Sequence, residues 1–237
     1  MTKLSVNINK IATIRNARGA DTPSVTEAAK KIQSFGAQGI TIHPRPDQRH
    51  ITRKDVYDLK PLVYTEYNIE GNPERFFIDM VKEVKPEQVT LVPDLPDAIT
   101  SNQGWDCVTH KDFLSEVIAE FKTAGIRTSI FLDPNPDMVE AAFKTGTDRI
   151  ELYTEAYASQ YAENREKALA PYIETALRAQ EFGLGINAGH DLSLENLQYF
   201  KQNLPGLLEV SIGHALISEA LYMGLENTIQ AYLKRLA

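Results

Sequence analysis

Short apolar runs alternate along this chain with longer stretches in which apolar residues recur every three to four positions. The short runs fall at Leu4–Ile8, Gly39–Ile42, Val63–Ile69, Gln88–Val92, Arg127–Leu132, Arg149–Leu152, Gly185–Asn187 and Leu208–Ile212. Their length and bounding turn residues predict eight buried strands. The longer stretches, near 23–35, 53–61, 73–83, 110–124, 136–144, 163–182, 194–203 and 215–235, predict helices. Thr22, Asn72 and Asn135 each precede a proline, the order expected of an N-cap followed by the first helical turn. Gly36, Gly125, Gly146 and Gly183 follow helical stretches, where a left-handed residue closes a helix.

Strands that alternate with helices make an α/β fold around a parallel sheet. Eight such units in 237 residues match a (β/α)8 TIM barrel, which typically needs about 250 residues. A doubly wound open sheet is the alternative, but no Gly-x-Gly-x-x-Gly follows the first strand, which disfavours a dinucleotide site. No linker or low-complexity tract divides the chain, so residues 1–237 are expected to form one barrel domain. The longest expected loop, 94–109, follows the fourth strand and has the length of an active-site lid.

Composition narrows the partners. The net charge of −7 argues against nucleic acid bound through a basic surface, while leaving room for a local basic pocket. Cys107 is the only cysteine, so no internal disulfide forms and a reducing compartment fits. The N-terminus lacks a signal-peptide core, and no apolar run approaches the ~18 residues of a membrane span. A cytoplasmic protein without a membrane partner is expected.

In a barrel, chemistry gathers at the C-terminal ends of the strands. Here those ends carry Asn7 and Asn9, His43, Glu70, Asp94 leading to Thr100, Asp133, Glu151, His190 and His214. Each has a plain structural use. Asp133 before Pro134 is read as a turn residue, and Glu70 would serve as an ion-pair partner of Arg45 or Arg49. Their convergence on one funnel favours a site. Gly213 and His214 open the last helix directly after the eighth strand, and a helix N-terminus beside glycine binds anions. Two further basic sets are His43, Arg45, Arg49 and His50, and Arg15 with Arg18 in the loop after the first strand. Arginine's planar fork suits phosphate, so more than one phosphate is expected on the substrates. Glu70 among histidines suits proton transfer: burial would raise its pKa and nearby cations would lower it. No His-x-His or His-Glu-x-x-His spacing favours a metal. Tyr153, Tyr157 and Tyr161, at four-residue spacing, are read as a helix face or a subunit contact.

These residues lie in ordered motifs that resemble the pyridoxine 5′-phosphate synthase family almost end to end. The motifs are Val6–Ile8 with Ile11–Gly19, Gly39–His43 with Arg45 and Arg49–Thr52, Asn68–Glu70, Leu91–Pro93, Ile150–Glu151, Asn187–His190 and Ile212–Ala215. The resemblance implies a TIM barrel with additional helices, assembled as a homo-oligomer, typically an octamer. It implies condensation of 3-amino-2-oxopropyl phosphate with 1-deoxy-D-xylulose 5-phosphate, ring closure, and release of phosphate and water. By position, His43 and Glu70 would be bases and His190 a proton donor. Asn7, Arg18, Gly213 and His214 would hold the amino-ketone phosphate, and Arg45, His50 and Thr100 the deoxyxylulose phosphate. Glu151 would be a further site carboxylate. Repeated proton shuttling toward an aromatic product requires no redox cofactor, ATP or metal.

The chain departs from the family pattern in three places. Asn9-Lys10 stands where Asp-His is common, and Asp191 and Glu155 stand where glycine is common. Two other readings stay open on the residues alone. One is a sugar-phosphate isomerase or aldolase, since Glu70 with a histidine also suits enolisation. The other is a non-catalytic sensor of phosphorylated ligands.

Overall fold

A computed structural model describes residues 1–94 and 101–237. Eight parallel strands close into a barrel in sequence order: β1 Lys3–Asn7, β2 Gly39–Ile42, β3 Glu66–Gly71, β4 Gln88–Leu91, β5 Arg127–Leu132, β6 Arg149–Tyr153, β7 Gly185–His190 and β8 Leu207–Ile212. β1 pairs with β8, Val6 opposite Ile212, to complete the ring. The helices are α1 Asn9–Asn16, α2 Val25–Ser34, α3 Arg53–Leu59, α4 Arg75–Val84, α5 Lys111–Thr123, α6 Pro136–Lys144, α7 Glu155–Glu181, α8 Leu197–Asn203, α9 His214–Met223 and α10 Leu225–Leu236. The expected TIM barrel is therefore present, with helices additional to the one that follows each strand.

Alternation along the strands sorts two buried faces. Leu4, Val6, Ile40, Ile42, Ile69, Val89, Ile130, Leu152 and Val210 are fully buried with Ile32, Val56, Val81 and Phe121 of the helices. This shell between sheet and helices is the hydrophobic core. The alternate residues meet across the lumen and are polar. The Thr90 hydroxyl donates to Glu151, 3.4 Å away and two strands over. Asn187 donates to Gln88 at 3.5 Å, and Ser211 to Glu70 at 3.4 Å. Barrel interiors are more often filled by bulky aliphatic layers; here the lumen is a hydrogen-bonded polar column.

Several local expectations change. Residues 9–16, read as a loop, form α1, because Ala12 and Arg15 bury one face against the barrel. Arg15 is no phosphate ligand in this arrangement. Its guanidinium makes a two-pronged contact with Asp55, at 2.5 and 2.8 Å, and Asp55 also closes the capping box of α3 with Thr52. Asn135 caps α6 with Pro136 behind it, as expected, but Ser24 caps α2 in place of Thr22, and α4 begins after Glu74, not Asn72. The Asn72 amide instead donates to the Asp94 carbonyl at 2.8 Å. The helix expected over 163–182 begins at Glu155, with a kink at Asn164. The single C-terminal helix expected over 215–235 is two, divided at Gly224, whose φ of +78° no helix tolerates. Gly36, Gly125, Gly146 and Gly183 do take positive φ after their helices. Tyr157 and Tyr161 stack edge to face on α7, as a helix face would, whereas Tyr153 ends β6. Part of the expected lid, 95–100, including Thr100, lies outside the described residues. No described helix is long and apolar enough to cross a membrane.

Candidate active site

At the C-terminal mouth of the barrel the polar column opens into a cavity of about 630 Å³. Asn7, His43, Arg45, His50, Glu70, Glu151, His190, Gly213 and His214 all line it. Arg18 does not: it sits on the exposed turn after α1.

The bases sit close together. His43 follows β2, and its backbone N–H donates to the Asn9 side chain at 3.0 Å. Its Nδ1 lies 4.0 Å from Glu70 Oε2 and its Nε2 3.9 Å from Asp94 Oδ2. Glu70, projecting from β3, accepts from Asn7 Nδ2 at 3.3 Å and from the Ser211 hydroxyl at 3.4 Å. Asn7 is itself oriented by the N–H of Asn9, the first residue of α1. Gly189 makes room for the next layer. A Cβ there would fall 2.3 Å from the Ser211 carbonyl oxygen and 3.2 Å from Glu151 Oε1, so any side chain would displace β8 or the carboxyl.

Electrostatics keep this cluster nearly uncharged. Burial raises Glu70 well above the usual carboxyl range, and the neighbouring Glu151 and Asp94 add to it. Burial likewise pushes Glu151 up to about 7. Burial lowers His43 well below the ordinary imidazole value, helped by Arg45, His50 and Arg49. His50 falls to about 4 from burial and the same arginines. Between the opposing influences named for Glu70 from sequence, burial wins. Burial thus favours the neutral imidazoles of His43 and His50 and the uncharged carboxyl of Glu70. An arriving phosphate would favour the imidazolium forms, and an ammonium would favour the Glu70 carboxylate.

Two groups of residues suited to anions line the same cavity, one after β8 and one after β2, the strands that flank β1. Gly213 caps α9, and it and His214, the first residue of that helix, line the mouth, the kind of helix start that binds anions. A Cβ on Gly213 would press on Asn7 at 3.1 Å. After β2, Arg45 is buried and held by Asp94 at 2.8 Å, not by Glu70. Asp94 Oδ2 also accepts from Ser101 at 2.7 Å. His50 uses its Nδ1 to accept the Ile51 N–H.

Sequence reasoning singled out neither Ser211 nor Ser101, and it read Asp94 as a strand-end residue only. Ser211 was findable, since it holds the inward register of β8 two residues before Gly213. Phe131 and Tyr153, with rings 5.3 Å apart, form an apolar flank on the β5–β6 side. Asp133 receives the Gly104 N–H at 3.1 Å, in keeping with a turn-shaping role. Among the described residues no group of three or more His, Cys, Asp or Glu is arranged to hold a metal ion.

The family pattern described as "Pyridoxal phosphate biosynthesis protein PdxJ" matches residues 4–237. The chain is 67% identical over 236 residues to the pyridoxine 5′-phosphate synthase of Christiangramia forsetii, and 65% identical over 236 residues to that of Flavobacterium johnsoniae. Each alignment covers 100% of both chains. Among solved structures, the phosphoribosylanthranilate isomerase of Thermotoga maritima superposes with a TM-score of 0.62 at 13% identity, over 100% of this chain and 98% of that one. That likeness speaks to the barrel alone.

Proposed function

The chain belongs to the pyridoxal phosphate biosynthesis protein PdxJ family and is an enzyme that makes pyridoxine 5′-phosphate; we propose the following division of labour within its funnel. The two substrates are 3-amino-2-oxopropyl phosphate and 1-deoxy-D-xylulose 5-phosphate. The N-terminus of α9, with Gly213, His214 and Asn7, holds the phosphate of the amino ketone. Arg45 and His50 hold that of the deoxyxylulose, with Thr100 as a further contact. Arg18 is retained as a phosphate ligand on the strength of its motif; its exposed turn gives no geometric support.

The amine attacks the ketone, and water and inorganic phosphate leave as the ring closes. Each step moves a proton. His43, held neutral by burial, takes the first. Glu70 gives up its proton when the ammonium of the amino ketone lies beside it, and then serves as a base. His190 donates to departing oxygen. Glu151, hydrogen-bonded by Thr90, faces the developing positive charge. Holding both substrates in one cavity supplies the effective concentration that a bimolecular condensation lacks.

One observation carries this reading: Gly213 and His214 at the start of α9, and Arg45 and His50 after β2, line the same cavity as His43, Glu70, Glu151 and His190. Incubating the purified protein with both substrates should yield pyridoxine 5′-phosphate and inorganic phosphate, with both substrates required. Absence of product across a broad range of pH and concentration would overturn it. We further propose that residues 1–237 act as one catalytic unit, that the chain assembles as a homo-oligomer, an octamer as the resemblance implies, and that it works in the cytoplasm without nucleic-acid or membrane partners.

A further inference from the structure

His190 ends β7 with a backbone φ of +94°, a left-handed conformation that strains a non-glycine residue. Its ring is held on two sides. Tyr153 packs edge-on against it with centroids 5.3 Å apart. Nδ1 lies 2.7 Å from Asp191 Oδ2. Both His190 and Asp191 line the funnel, and their side chains are 29% and 38% exposed. Resting on the assignment of His190 as proton donor, we propose that Asp191 is a positioning residue for the reaction. Its carboxylate accepts the Nδ1–H of His190, fixes the tautomer and ring plane, and directs the transferable proton to Nε2.

The chemistry follows from what each atom can do. An ionised carboxylate only accepts hydrogen bonds, so the nitrogen 2.7 Å away carries a proton in both charge states of the ring. The imidazolium then holds its second proton on Nε2. When a hydroxyl departs from the substrate, the C–O bond breaks with its electron pair on oxygen. The Nε2 proton joins that oxygen and water leaves. The ring becomes the neutral Nδ1–H tautomer, still bonded to Asp191. Nε2 regains a proton at a later deprotonation of the ring-closing intermediate. Among the described residues, the groups that face His190 include Glu151 and Tyr153 on β6 and His43 just after β2. Glu151 and Tyr153 are pushed up to about 7 and about 12, and His43 is pushed down. These three lean toward their uncharged forms, whereas Asp191 places a carboxylate at contact distance.

The test pairs kinetics with a readout that needs no turnover. Asp191→Ala should lower kcat about tenfold or more, with both KM values within about threefold of the parent. The alkaline limb of the kcat profile should move to lower pH, because the imidazolium loses its carboxylate. Asp191→Asn keeps an acceptor oxygen without the charge, so it should restore part of kcat but not the position of the limb. Separately, the rate at which diethyl pyrocarbonate modifies His190, followed by mass spectrometry against pH, reports the neutral ring; its midpoint should fall in Asp191→Ala. An unchanged midpoint and an unchanged kcat profile overturn the proposal, as does a raised KM with intact kcat, which would make Asp191 a substrate contact. Full turnover in His190→Ala would instead overturn the donor assignment, leaving the modification midpoint to decide the Asp191–His190 pair.

Discussion

Glu66 and Glu70 project from the same strand into the same lumen, one layer pair apart, and they ionise in opposite directions. Burial raises both. At Glu66 the hydrogen bond shared with Glu209, then Arg127 and Lys3, outweigh it, and the carboxyl falls below its ordinary value. At Glu70 the neighbours are Glu151 and Asp94, and the carboxyl rises. The difference extends to the two ends of the barrel. At the N-terminal end, Glu66 contacts both Lys3 and Arg127, Arg127 donates to Gln88 at 2.9 Å, and Arg149 donates to Asn187 at 3.1 Å and lies 3.5 Å from Glu209. There Glu66 finds its cations within the protein, while burial and Glu66 itself raise Glu209 well above the ordinary carboxyl value. At the C-terminal end, Glu70, Glu151 and the histidines face a cavity, and their complement arrives with the substrates. One end uses its ionisable groups to hold the barrel shut, and the other is proposed to use them for proton transfer.

If that contrast is right, substitutions at the two ends should fail in different ways. The largest effect is expected at the closed end. Arg127→Met removes one cation from buried Glu66 and the donor to Gln88, and breaking a buried pair from one side costs about 3 kcal/mol of stability. Denaturant unfolding should register that loss while kcat per folded molecule stays near the parent value. A large fall in kcat with unaltered stability would erase the distinction between the ends. Next is Glu70→Gln, which should lower kcat by about 10²-fold, or roughly 2.7 kcal/mol of transition-state stabilisation. Its unfolding midpoint should hold or rise, because an amide does not need to keep a proton in a buried site. Near-normal turnover would remove Glu70 from the mechanism.

The pH dependence of stability sharpens the comparison further. His50 is lowered to about 4, so between pH 6.5 and 4 the unfolded chain binds its proton and the native one does not. Its contribution is complete above 6.5 and is lost as pH falls through 4. Glu151 is raised to about 7, so its contribution is complete below the ordinary 4.5 and is lost as pH rises through 7. The two act oppositely across pH 4.5–6.5, each by about 2–3 kcal/mol. Replacing one should expose the other. His50→Gln should leave a protein that weakens as pH rises through that window, and Glu151→Gln one that weakens as pH falls. Parallel slopes for the two variants would mean that the funnel's groups are not neutral in the empty enzyme.

The strand-end rule worked because it needs only the position of a residue in a strand. His43, Glu70, Glu151 and His190 were legible in this way. The barrel was legible because eight apolar runs recur at regular spacing. What stayed hidden depends on pairing between distant segments. Nothing local marks Arg15 as the partner of Asp55, forty residues on, rather than of phosphate. Nor does anything mark Arg45 as the partner of Asp94 rather than of Glu70. Helix α1 was missed because Asn7, Ile8 and Asn9 read as the end of a strand, although Ala12 and Arg15 stand at helical spacing. The polar lumen was written in the alternation of Leu4, Ser5, Val6 and Asn7, but reading each run simply as apolar concealed it.

The smallest effect expected tests whether a buried anion at the open end orients its cation or competes with the substrate for it. Asp94 Oδ2 lies 2.8 Å from Arg45 and accepts from Ser101 at 2.7 Å. A phosphate reaching Arg45 meets a guanidinium that already has a carboxylate. If Asp94 mainly competes, Asp94→Asn should lower KM for the deoxyxylulose phosphate. If it mainly orients, that KM should rise. Arg45 is 5% exposed and so has little room to reorient, and a hydrogen bond between charged groups contributes about 1.5–3 kcal/mol. Orientation should therefore dominate, with KM for the deoxyxylulose phosphate rising about tenfold, or 1.4 kcal/mol, and kcat changing by less than about threefold. KM for the amino ketone, held by α9, should stay put. A fall in the first KM would give Asp94 the role of a gatekeeper that the phosphate displaces, and the open end would then be partly charge-matched before substrate arrives.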